Sequence, residues 1–187
     1  MRAFTNVLCF GLTALASSAH AAEYKQILTD KSQLGFVSKQ MGVPVDGSFR
    51  QFSARIAFDP AKPQAGSAQV DITLASIDTG SAEANDEVKS KNWFNVAAWP
   101  TARFAASSFR SLGGNRFEAL GKLSLKGRTK DVILPFTLTA QGANAVVDGA
   151  FVLKRTDYGL GEGPWGDVSV VADEVQVRFH LLAAGKK

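Results

Sequence analysis

Apolar and polar residues alternate along most of this chain, and a two-residue period restricts such segments to strands with one buried face. Phe52, Ala54, Ile56 and Phe58 alternate with Ser53, Arg55 and Ala57, and Ala68, Val70, Ile72 and Leu74 follow. The pattern returns over residues 103–109, 117–125, 132–140 and 145–153. A last run sets Val175, Val177, Phe179 and Leu181 against Glu174, Gln176, Arg178 and His180. A further, earlier strand is expected within residues 24–37, making about eight. Turn signals separate the runs at Asp59-Pro60, Gly113-Gly114-Asn115, Lys126-Gly127 and Gly142.

Strands joined by short polar turns, with no long helical pattern, predict an all-β antiparallel barrel or sandwich. Eight strands are close to the smallest number whose barrel encloses a small molecule as well as its own side chains. The inward faces mix small residues (Ala54, Ala68, Ala106, Ala119, Gly121, Gly149) with large ones (Phe49, Phe104, Phe136, Phe151). Two interiors are compatible with that mixture. Small residues facing large ones leave a tunnel, or the two interdigitate as a packed core.

Residues 76–104 break the alternation. The polar stretch 82–96 carries Glu83, Asp86, Glu87, Lys89 and Lys91 and predicts a short helix across one barrel end, its charges in solvent. Trp93, Phe94 and Trp99 then fall where a sheet should be ending. They are either a mouth or a plug.

The first 21 residues join Arg2, an uncharged apolar run and a small-residue end at Ala19-His20-Ala21, the pattern of a cleaved secretory signal. The apolar run from Val7 to Ala16 falls short of the roughly twenty residues that span a bilayer, so no integral membrane segment is expected. Export of a single domain, residues 22–187, follows. Cleavage removes Cys9, the only cysteine, and with it any disulfide, thiolate ligand or cysteine nucleophile. It also removes Arg2, lowering the formal charge of +4 by one. So mild a balance, with basic residues scattered singly, gives no nucleic-acid footprint.

Enzyme readings fare poorly. Beyond the leader His180 is the only histidine, on a strand face shared with charged residues, so neither a metal site nor a Ser-His-Asp triad can be assembled around it. No G-x-S-x-G elbow occurs, and the glycines from Gly159 to Gly163 lead into Pro164 and Trp165 rather than a helix that would cradle phosphate. Neither catalysis nor a cofactor is expected.

Several blocks resemble a known family. They are Ser76-Ile77-Asp78-Thr79-Gly80, Asp86, Lys89-Ser90, Trp93-Phe94-Asn95, Trp99-Pro100 and Phe104, then Gly121 to Lys130, then Arg155-Thr156-Asp157-Tyr158-Gly159-Leu160-Gly161. Together with Phe49, Phe52 and Asp59-Pro60 they are similar, in order and over nearly the whole chain, to the YceI-like family of exported lipid-binding proteins.

The resemblance implies an eight-stranded lipocalin-like barrel with a short helix near one end, a periplasmic location, and a long isoprenoid or fatty-acyl chain held in the barrel. It admits a homodimer. On this reading Phe36, Phe49, Phe52, Phe104, Phe136 and Phe151 form the wall of a ligand site, and Trp93, Phe94, Trp99, Tyr158 and Trp165 form its mouth or lid. Asp78, Asp86, Arg155 and Asp157 are expected to fasten the helix to the strands. Gln40 and Asn85 depart from the family pattern near the open end and bear on the ligand's polar head. A different reading keeps the barrel closed and makes its aromatic end a surface for another protein in a structural or stress-response role.

Overall fold

Tight turns return each strand antiparallel to the one before it. In the computed structural model, which describes residues 23–185, Met41-Gly42 and Lys126-Gly127 are two-residue hairpin loops with both φ angles positive. That geometry matches the twist of the flanking strands. The expected leader lies outside the described residues.

The strands are β1 (Tyr24–Ile27), β2 (Gln33–Gln40), β3 (Val43–Phe49), β4 (Phe52–Phe58), β5 (Ser67–Thr73), β6 (Ile77–Asp78), β7 (Thr101–Gly113), β8 (Arg116–Leu125), β9 (Arg128–Gln141), β10 (Asn144–Lys154) and β11 (Glu174–Gly185). Three pairs of these are single ribbons with an interruption. A 3-10 turn at Thr29–Lys31 parts β1 from β2, Arg50 and Gln51 part β3 from β4, and a 3-10 turn at Leu74–Ser76 parts β5 from β6. The ribbons therefore number eight, each antiparallel to the next, and β11 pairs with both β1 and β2 to close an up-and-down barrel.

Two details differ from the sequence reading. The first ribbon is broken rather than one strand, and the second begins at Val43 instead of Phe52. Pro44 and Gly47 hide the alternation there. Gly47 is required by packing, since it faces Phe36 across the ladder and a β-carbon would fall inside that ring.

One end of the barrel is sealed by aromatic packing. Phe58, 1 % exposed, meets Phe109 at 4.7 Å between ring centroids, Phe117 at 5.3 Å and Phe136 at 5.9 Å. Tyr24, Ile27, Ala145 and Ala183 are buried in the same core. Edge-on aromatic contacts each contribute about 0.5–1.5 kcal/mol beyond the area they bury.

At the opposite end the alternation stops at Asp78 and helix α1 (Ala82–Lys89) begins. Ser81 caps it by accepting from the Ala84 amide at 3.4 Å, and Glu83 and Lys89 complement the helix dipole at its two ends. The helix is shorter than the stretch 82–96 read from sequence. Residues 90–99 instead form a series of turns in which Asn95 takes a positive φ.

Candidate ligand cavity

Between the phenylalanine floor and α1 the barrel is hollow. A cavity of about 1030 Å³ runs through it. Its wall is built from inward positions of the strands: Leu34 and Phe36 on β2, Phe49 on β3, Phe52 and Ile56 on β4, Val70 and Ile72 on β5, Phe104 on β7, Phe151 and Leu153 on β10, and Val177 and Phe179 on β11. Ala68, Ala102 and Ala119 are the small residues that leave the space open. The interior is therefore not packed shut.

Nine of the eleven residues assigned from sequence border this cavity. Phe36, Phe49, Phe52, Phe104 and Phe151 lie in the wall, Phe136 in the floor, and Trp93, Phe94 and Trp165 at the α1 end. Phe94 meets Phe49 edge-on at 6.1 Å, and Phe49 meets Phe36 at 5.7 Å, so the mouth aromatics continue into the wall. Trp93 packs on Trp165 at 6.0 Å, and the Trp165 indole N–H donates to Glu87 Oε1 of α1 at 2.7 Å. That bond ties the helix to the loop that follows β10.

The other two residues stand elsewhere. Trp99 is 46 % exposed and outside the cavity, its ring lying over Gly127 where a β-carbon would come within 2.7 Å. The turn at Asn95, whose carbonyl accepts from the Ala98 and Trp99 amides, sends Trp99 out of the barrel while Trp93 and Phe94 face in. Tyr158 is 2 % exposed but packs in the core behind the cavity lining. Burial pushes its hydroxyl up to about 12, with the charge of Asp157 adding to the shift.

Arg155 organises the loop over this end. It is 1 % exposed, and its guanidinium lies over the Trp93 ring at 5.6 Å. It donates to the carbonyls of Leu160 (2.7 Å), Gly161 (3.0 Å), Trp165 (2.9 Å), Val171 (2.8 Å and 3.3 Å) and Ala172 (3.2 Å). Burial lowers its affinity for its proton, and nearby Asp173 opposes that effect. Burial alone would also raise the Asp173 carboxyl, but hydrogen bonds from Thr156 Oγ1 at 2.7 Å and the Thr156 amide at 3.1 Å outweigh it and hold Asp173 below the usual carboxylate range.

The polar network expected around Arg155 is different in detail. Asp78 pairs with Arg50, Asp86 pairs with Lys89 at 3.4 Å, and neither reaches Arg155, whose hydrogen-bond partners are backbone carbonyls. Beside the Trp165–Glu87 bond, Asn85 fastens α1, accepting from the Thr79 amide at 2.7 Å and the Thr79 hydroxyl at 2.8 Å. Gln40 does border the cavity, beside Val171. The rim also carries Glu83, Asp86 and Glu87, which outnumber the one lining cation, Arg155, whose donors are taken up by backbone carbonyls.

Sequence reasoning overlooked Phe58 and Phe109, which close the cavity floor with Phe136. Both belong to alternating runs and were visible as inward positions.

Residues 26–183 match the YceI-like domain. Among solved structures, BcnA of Burkholderia cenocepacia is similar over 85% of this chain and 100% of its own, with 44% identity and a TM-score of 0.83. A polyisoprenoid binding domain from Saccharophagus degradans shares the fold at 20% identity, with a TM-score of 0.68, covering 89% of this chain and 100% of that one. A UPF0312 protein of Azotobacter vinelandii is 33% identical over 155 residues, 78% of this chain and 80% of its own. The match to the domain spans both the strands that enclose the cavity and the loops that cover it, and the chain belongs to the YceI-like family.

Proposed function

We propose that this protein is a non-catalytic carrier that holds the hydrocarbon chain of an isoprenoid or fatty-acyl lipid inside its barrel, and that it works in the periplasm after its leader is removed. The observation that carries this reading is the apolar cavity of about 1030 Å³ between the phenylalanine floor and α1. At about 30 Å³ per water-sized group, that volume has room for on the order of thirty chain atoms. Twenty buried methylenes release on the order of 16 kcal/mol, against association costs of about 4–15 kcal/mol. Affinity should therefore climb with chain length until the cavity is full. The polyisoprenoid binding domain that shares the fold supports the isoprenoid class.

The acidic rim favours an uncharged head. A phosphate or carboxylate there would face Glu83, Asp86 and Glu87, and Lys89 beside them is already paired with Asp86.

Fluorescence titration with prenols of increasing length, using Phe151→Trp as an interior reporter, tests the reading. A response that strengthens with length supports it. Absence of any response from the reporter to every prenol tried would sink it. N-terminal sequencing of protein recovered from the periplasm tests the location, and sedimentation equilibrium tests for the homodimer expected from the resemblance.

A further inference from the structure

Around most of the barrel each ladder is continuous from end to end, as in the ten consecutive pairs of β8 with β9. Two seams are exceptions: pairing of β9 with β10 ends at Phe136 and Gly149, leaving Ala150 to Lys154 without a ladder partner on β9, and the seam between the first two ribbons is also interrupted. Pairing of β1 with β4 ends at Gln26 and Arg55, and pairing of β2 with β3 begins only at Gly35 and Ser48. Phe49 to Ala54 have no ladder partner on the first ribbon, a stretch of about 20 Å at roughly 3.3 Å per residue. The 3-10 turn facing them is fastened to the other side. Leu28 donates to the Leu182 carbonyl at 2.9 Å, and Ser32 Oγ accepts from the Leu182 amide at 3.0 Å.

An outer groove overlies this seam, and Leu34, Phe49, Phe52 and Phe179 border both the groove and the inner cavity. One layer of side chains therefore separates the cavity from solvent here. Phe49 and Phe52 are half-buried, as are the wall residues Phe36, Phe151 and Phe179. The polar groups around the groove are held in pairs: Arg178 with Asp46, Arg50 with Asp78, and His180 with Asp148 at 2.6 Å. The Arg178–Asp46 pair bridges β11 and β3 over β2, and the groove below is mixed, with Ser32, Gln33 and Ser48 beside Leu34, Phe49, Phe52 and Phe179.

We infer that this seam is a lateral entrance to the cavity, gated by Phe49 and Phe52, through which a long hydrocarbon tail threads into the barrel. The inference rests on the lipid-holding reading above. Rotation of one or two phenylalanine side chains opens the gap without breaking a ladder bond, which is a smaller event than displacing α1 with its Trp165–Glu87 tie.

The test is stopped-flow binding of retinol, an intrinsically fluorescent isoprenoid, to the wild-type protein and two variants. Ser48→Trp adds bulk to the groove from outside the cavity and should lower the association and dissociation rate constants together, by about fivefold or more, with the dissociation constant held within about twofold. Phe52→Ala removes the gate and should raise the association rate constant by a similar factor. A residue that only contacted bound ligand would change dissociation alone. Association within about twofold of wild type in folded Ser48→Trp, or in Phe52→Ala, overturns the lateral entrance. Failure of the wild-type protein to bind retinol or any other prenol defeats the lipid-holding reading instead.

Discussion

Replacing Arg155 by lysine should loosen the loop over the cavity without changing the formal charge. The guanidinium donates to five backbone carbonyls between Leu160 and Ala172 through six hydrogen bonds. An ammonium has three protons and leaves at least two of the five carbonyls without a partner. A buried group that loses its hydrogen bond costs about 1–3 kcal/mol, so two of them imply about 2–6 kcal/mol. Two of the six bonds are only part-buried, which sets the expectation in the lower half of that range, at about 3 kcal/mol. Urea unfolding followed by tryptophan fluorescence measures this directly, because Trp93 and Trp165 sit at the site. The midpoint should fall at constant m-value, and retinol affinity should fall with it. A loss below about 1 kcal/mol at unchanged m-value would refute the view that this guanidinium holds the loop together.

Further outcomes follow from other parts of the site. Ala119→Phe places a ring in the cavity above the floor, so a long polyprenol should bind about tenfold more weakly, the loss of roughly two buried methylenes, while geraniol binds as before. The raised pKa of Tyr158 means that stability is full below the ordinary tyrosine value and is lost as pH rises toward about 12. That loss amounts to about 2–3 kcal/mol, and Tyr158→Phe should remove it from an alkaline titration of unfolding. Retinol should bind more tightly than retinoic acid, with a gap that narrows as salt screens the acidic rim; equal affinities at low salt would contradict the rim's role. Trp99→Ala should cost about 0.5–1 kcal/mol of stability and leave retinol affinity unchanged, since Trp99 covers the Lys126-Gly127 turn from outside.

The alternation of residues carried the barrel almost completely, because a one-residue slip of β7 would turn Ala102, Phe104 and Ala106 outward together. It failed at β3, where Pro44 and Gly47 replace the expected side chains and the reason for Gly47 is a ring on the neighbouring strand. Trp93 and Trp99 carry the same local signal, and only the backbone turn at Asn95 separates the one that borders the cavity from the one that does not. The environment of Arg155 was invisible for a different reason. Its hydrogen-bond partners are carbonyls, which every residue has, so no pattern of side chains marks them. Whether the interior was hollow or packed depended on volumes summed over all eight ribbons, a property that no single segment encodes.

Organic extraction of the protein from its native host, followed by mass spectrometry, tests the central claim most directly. A long-chain isoprenoid or acyl lipid should be recovered at close to one molecule per barrel, and Ala119→Phe protein should yield less of it or a shorter chain. Extracts that repeatedly contain no such lipid, from protein that also fails to take up added prenols, would contradict the assignment of the cavity as its site.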